Sequence, residues 1–74
     1  MPRPSLQDIV AENIRFYATE KSMSLDSLAD FAGVSRRQLC NFLSGEHDIT
    51  LGWLAKVAHA LEVEPAELLR PREG

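Results

Sequence analysis

The sequence predicts an all-α fold in which five short helices enclose a single core. Three observations carry that expectation. Apolar residues recur at helical spacing between the two chain ends, cap residues flanked by apolar pairs mark successive helix starts, and Gly33 and Gly45 fall where helices must stop. At 74 residues and 45% apolar content the chain supports one small domain, because at this size only about 60% of the unfolded surface can be buried.

The elements follow in order. Ser5 is the N-cap of helix one, with Asp8 in its first turn, and Leu6, Val10, Ile14 and Tyr17 recur at helical spacing until about Lys21. Each of the next four starts carries a cap residue flanked by the two apolar residues of a hydrophobic staple. The caps are Ser24, Ser35, Thr50 and Glu64; the staple pairs are Met23 with Leu28, Val34 with Leu39, Ile49 with Leu54, and Val63 with Leu68. Pro65 follows Glu64 at the first helical position, where its missing N–H is not needed. Ser35 with Gln38 reads as a capping box, S-x-x-Q, with bonds in both directions. Gly33 closes helix two and Gly45 closes helix three, both in left-handed backbone. The join between those helices is only about three residues, so they must cross steeply as a helix-turn-helix, spanning about 24–44. Leu28, Ala32, Val34, Leu39 and Phe42 are expected to face inward, with Ala29 as the small residue at the crossing.

Composition narrows the function classes. The formal charge of −3 excludes indiscriminate coating of nucleic acid, which needs a strongly basic domain. Between Phe31 and Gly45, however, the only charges are Arg36 and Arg37, while Glu62, Glu64 and Glu67 gather toward the other end. Exposed charges farther apart than about 8 Å are largely screened at physiological salt, so a local basic surface can act despite distant acids. The apolar runs are too short for a membrane span and the N-terminus has no signal-peptide core, so the expected location is the cytoplasm. Residues 1–74 read as a single domain with short flexible ends, 1–4 and 70–74. Cys40 is the only cysteine and has no disulfide partner in the chain; with His47 and His59 it makes no zinc spacing. No metal, cofactor or catalytic residue is expected, since a domain this small has little room for a substrate pocket.

At the helix-turn-helix, "GVSRRQLCNFLSG", the chain resembles the phage-repressor and Cro-like family of DNA-binding domains. The resemblance runs from about Ile14 to Leu69 and extends through "LGWLAKVAHALEVEPAELL" as helices four and five. It implies a compact five-helix lambda-repressor-like fold, with double-stranded DNA as the partner and Ser35 to Ser44 as the recognition helix. At 3.6 residues per turn, Leu39, Phe42 and Leu43 then face the core, leaving Arg36, Arg37, Cys40, Asn41 and Ser44 on the open face. An arginine fork fits guanine O6 and N7, and asparagine fits adenine N6 and N7, so Arg36, Arg37 and Asn41 are the candidate base readers. Arg37 with Asn41, four residues apart on one stripe, is the leading pair, while Arg36 could instead swing toward a phosphate. Ser35, Gln38 and Ser44 are the candidate backbone contacts. The competing reading makes the two arginines a solvated face, although a helix N-terminus favours anions over cations.

Three departures from the family pattern stand out. Leu25 occupies a position where many members carry a phosphate-binding glutamine, and "EHD", Glu46 to Asp48, replaces basic residues after the recognition helix. Ala18 and Leu43 stand where many members pair an arginine with a glutamate; loss of both partners is coherent, and Leu43→Glu is expected to cost several kcal/mol as a stranded carboxylate. Cys40 lies on the reading face, either as a redox-sensitive thiol or as an unremarkable small residue. Phe16 is either a core flank or a partner contact. On helix four, Trp53, Val57 and Ala60 form a second apolar stripe beside an expected core stripe of Leu51, Leu54, Ala58 and Leu61. That second stripe is covered either by helix five or by a second copy; in the latter case Trp53, Val57, Ala60, Leu68 and Leu69 form a homodimer interface. The expected protein is a sequence-specific transcriptional regulator binding an inverted-repeat operator. The alternative is an antitoxin or protein-interaction module, with a protein partner and weak or no DNA binding.

Overall fold

The computed structural model describes residues 5–45 and 49–71. Among them the chain is all-helical: α1 (Leu6–Glu20), α2 (Leu25–Ala32), α3 (Arg36–Leu43), α4 (Leu51–Ala60) and α5 (Pro65–Leu68). The segment "EHD" and the extreme ends lie outside the described residues, so the expectations placed on Glu46, His47 and Asp48 concern positions outside this description.

The staple pattern builds the core. Leu28, Leu39, Leu54 and Leu68 are fully or almost fully buried, and Met23, Val34, Ile49 and Val63 pack half-buried against the cluster. Each helix start is thereby pinned from both sides of its cap. Around these lie Val10, Ile14 and Ala18 of α1, Ala29 and Ala32 of α2, Phe42 of α3, and Val57, Ala58 and Leu61 at α4. Helix α2 packs on α3 and α4, α1 on α3 and α5, and α4 on α5, so every element touches at least one other through this cluster.

The caps differ from expectation in two places. Ser35 Oγ accepts from the Gln38 backbone at 3.2 Å, but the reciprocal bond is not formed, because the Gln38 side chain stays out in solvent. The complete capping box is at α1, where Ser5 and Asp8 exchange both bonds, at 3.1 and 3.3 Å. Glu64 sits at the N-cap of α5 without a side-chain cap bond, leaving Pro65 as the local device there.

Gly33 ends α2 at φ +71°, and the same left-handed turn recurs without glycine at Ser22 (φ 52°) and Glu62 (φ 60°). Both close a Schellman motif: Met23 N–H donates to Ala18 O at 2.8 Å, and Val63 N–H to Ala58 O at 3.0 Å. Glu62 also accepts from Lys21 Nζ at 2.9 Å, tying the end of α4 to the end of α1. That hydrogen bond, and then the Lys21 charge, hold the Glu62 carboxyl below the usual carboxylate range. A carboxyl with a lowered folded pKa contributes stability above its unfolded pKa and loses it as pH falls through the folded one. Glu62→Gln should therefore lower the melting temperature slightly near neutrality and leave it unchanged below the carboxylate range; thermal melts across pH check this.

Two leucines expected in the core are on the surface instead. Leu6 is 58% exposed and Leu51 81% exposed. Each is the first residue of its helix, and Leu51 lies about 70° off the centre of the buried α4 stripe at 100° per residue. The core face of α4 is Leu54, Val57 and Ala58, continued by Leu61. Val57 and Leu68, expected at a homodimer interface, are both 0% exposed and have no surface left for a second copy. The protomer's own fold covers that side of α4, as α5 packs there.

Asn13 is the one buried polar residue among the described ones, at 1% exposure. Its Nδ2 donates to Arg70 O at 2.7 Å and Leu68 O at 2.8 Å, with a longer approach of 3.4 Å to Glu67 O. A four-residue helix cannot stand alone, and these carbonyls are the groups a helix end leaves without partners. One side chain on α1 thus fastens the end of α5, including Arg70, which the sequence places in a flexible end.

Candidate nucleic-acid interface

The helix-turn-helix is fixed by backbone bonds at its turn. Gly33 N–H and Val34 N–H both donate to Ala29 O, at 2.9 and 3.1 Å, and Ser35 begins α3 directly afterwards. Leu39 and Phe42 anchor α3 from beneath, at 0% and 1% exposure, and the Trp53 ring lies against Phe42 with centroids 5.2 Å apart. What remains outward is Arg36, Arg37, Gln38 and Ser44, exposed, with Asn41 half-buried; Cys40, expected on the same face, is half-buried beside α1 and α2. The first turn of α3 holds no acidic residue. The structure thus brings the three expected base readers, Arg36, Arg37 and Asn41, onto one short helix with two cations in its first turn.

The arginines are not equivalent. Arg37 is exposed and makes no ion pair among the described residues. Arg36 reaches back to α2, with Nε 2.6 Å from Asp26 Oδ1, both side chains being more than half exposed. No helical spacing links positions 26 and 36. The pair exists because the turn sets the start of α3 beside the start of α2, which sequence periodicity alone does not reveal.

The expected backbone contacts divide in the same way. Ser35 Oγ accepts from Gln38 N–H, so its own proton remains available to a phosphate oxygen. Ser44 donates its proton to Cys40 O at 3.0 Å and would have to break that bond to reach a phosphate. Gln38 is exposed and unconstrained by the capping box expected of it.

Cys40 lies toward α1 and α2, lining a cleft of about 560 Å³ with Arg15, Ala18, Leu25 and Leu43. In this cleft Arg15 Nη2 donates to Leu43 O at 3.2 Å, so a cation on α1 caps the C-terminal end of α3. That contact was not legible from the Ala18 and Leu43 positions. It also revises the expected cost of Leu43→Glu: Leu43 is only half-buried, and Arg15 already stands at its carbonyl. Half of a leucine's apolar burial is worth about 1 kcal/mol, and an exposed ion pair with Arg15 returns a few tenths, so the substitution should cost about 1 kcal/mol or less; a chemical-denaturation midpoint measures it.

The described residues hold no group of three metal-ligating side chains, and no helix among them is long and apolar enough to cross a membrane. His59 stands exposed on α4 with Gly52 and Lys56.

Residues 13–73 match the family model of the Cro/C1-type helix-turn-helix DNA-binding domain. The chain is similar to the control protein C.SmaI of Serratia marcescens, 32% identical over 69 residues that cover 93% of this chain and 81% of that protein. Among solved structures it resembles a hypothetical transcription factor, NHTF, from Neisseria, with a TM-score of 0.87 and 28% identity over 96% of this chain and 87% of that one. It also resembles the restriction-modification controller protein C.AhdI from Aeromonas hydrophila, with a TM-score of 0.79 and 29% identity over 84% and 94% of the two chains. The tight turn that packs α3 on α2, the exposed basic start of α3 and these likenesses have one source: the chain belongs to the Cro/C1-type helix-turn-helix family of DNA-binding domains, not to a family of enzymes.

Proposed function

We propose that this protein is a cytoplasmic transcriptional regulator that binds an inverted-repeat operator as a homodimer, inserting α3 into the major groove. The observation that carries the reading is the outward face of α3, where Arg36, Arg37 and Asn41 stand on a helix whose opposite side is locked by Leu39 and Phe42. A rigid helix with base-matching side chains loses little conformational entropy on docking, and each good bidentate contact discriminates by roughly 1–3 kcal/mol. The likeness to two controller proteins supports a regulatory setting.

The homodimer rests on a groove rather than on the second stripe of α4. Leu6, Ile49, Leu51 and Leu69 line an open groove of about 610 Å³ whose floor includes Val10 and Leu54. Exposed leucines gathered in one place mark an interaction surface more often than scattered ones do. Of the interface residues expected from sequence, Leu69 belongs to this groove, while Trp53 and Ala60 are half-buried and do not line it.

A second reading, an antitoxin or protein-interaction module, is favoured by Phe31, which stands 71% exposed on α2 between Asp30 and the α2 terminus. Selection of bound double-stranded DNA from a random pool separates the two. The regulator should enrich an inverted repeat with half-sites about one helical turn, ~34 Å, apart. A pool left unenriched at low salt by folded protein would transfer the function to the second reading.

A further inference from the structure

We infer that Asp26 is a positioning residue for base recognition: its carboxylate holds the Nε edge of Arg36 and so aims the remaining guanidinium donors at the DNA. The inference rests on α3 reading DNA as proposed above. Guanidinium carries five N–H donors in a fixed plane; the Asp26 carboxylate is ion-paired on its Nε side, with Oδ1 2.6 Å from Nε, which leaves the Nη donors for a second planar partner. Guanine O6 and N7 form such a partner. An arginine without a second contact has several rotatable bonds and can drop onto any nearby phosphate; one held at Nε has far fewer arrangements. Asp26 therefore decides whether Arg36 acts as a base reader or as a backbone cation.

The pair's exposure argues against a role in stability. With Arg36 59% and Asp26 75% exposed, the ion pair is of the kind that adds almost nothing to folding in water. Docking changes its setting, because excluding water from the groove strengthens a charge pair already formed. A carboxylate near the phosphate backbone also repels DNA of every sequence. Retaining one there is coherent if it supplies selectivity in return. Asp26 lies in the first turn of α2, the helix that crosses the backbone in this motif, so its charge opposes phosphates while its geometry serves the base contact.

The test is a base-preference profile, taken by selection from a random pool, for the full chain and for Asp26→Asn, Asp26→Glu, Arg36→Ala and the Asp26→Asn/Arg36→Ala double variant. Asp26→Asn should bind non-specific DNA more tightly, while discrimination at one base pair of each half-site falls about tenfold, within the range of a single bidentate contact. Arg36→Ala should lose preference at that same base pair. In the Arg36→Ala background, Asp26→Asn should then alter only non-specific affinity. With Arg36 present, Asp26→Glu, which keeps the charge, should retain part of the discrimination that Asp26→Asn loses. A merely structural Asp26 would shift the melting temperature and leave the profile intact. An unchanged profile in folded Asp26→Asn overturns the inference, as does a loss of preference that persists without Arg36. If the parent chain itself enriches no sequence, the DNA-reading function fails first, and that outcome is distinct from an enriched site unaffected by Asp26.

Discussion

Replacing Leu51 with glutamate should break the proposed homodimer and lower affinity for a full inverted repeat by about 10²–10⁴-fold, the span over which joining two binding modules raises avidity. Leu51 is 81% exposed at the first residue of α4, so the substitution removes no core contact and the fold should survive. An acid at that position even suits the helix N-terminus. In a dimer seated on the groove, however, the carboxylate would be buried against Leu6, Ile49 and Leu69 without a partner. Affinity for an isolated half-site should be nearly unchanged. Sedimentation at micromolar concentration, with titrations of full and half-sites, reads both effects; a Leu51→Glu variant that stays dimeric would move the interface elsewhere.

Asn13→Ala should destabilise the protein by about 2–4 kcal/mol, because it strands buried carbonyl groups and leaves a small void. The amide now bridges α1 to Leu68 O and Arg70 O at 2.8 and 2.7 Å, and among described residues no other side chain reaches those oxygens. Asn13→Leu is the informative companion. It fills the volume but restores no donor, so a cost close to that of alanine would attribute the effect to the carbonyls, whereas full recovery would attribute it to packing. Because Leu69 caps the end of α5 and lines the groove, loss of Asn13 should also weaken the proposed homodimer, visible as a change in how the melting temperature depends on protein concentration.

Much of the fold is legible in the sequence because short helices announce their starts locally. A cap and its staple lie within six residues, and all four staple leucines are in the core. Periodicity is weaker evidence, since it ranks an apolar residue by its angle around a helix and not by what covers it. Leu6 and Leu51 fit a helical stripe but begin their helices, where nothing packs over them, while Val57 and Leu68 looked available and are consumed by the core. Gly33 signalled its left-handed turn, but Ser22 and Glu62 adopt the same backbone without a glycine to mark it. Asn13 interrupts an apolar stripe, and that interruption was the available signal for a buried amide. At the candidate site the identities of Arg36, Arg37 and Asn41 were readable, and their helix was correctly placed. Their pairing was not: Asp26 with Arg36 and Arg15 with Leu43 O join residues 10 and 28 positions apart, which only the packed turn brings together.

The proposed function stands or falls on whether α3 reads base edges. Its most direct measurement is the base-preference profile of Arg37→Ala beside Asn41→Ala on the selected site, at two salt concentrations. Each variant should cost roughly 1–3 kcal/mol on that site and relax preference at one base pair, at both salt concentrations. If both bind the selected site as tightly as the parent at both salts, α3 does not read the groove.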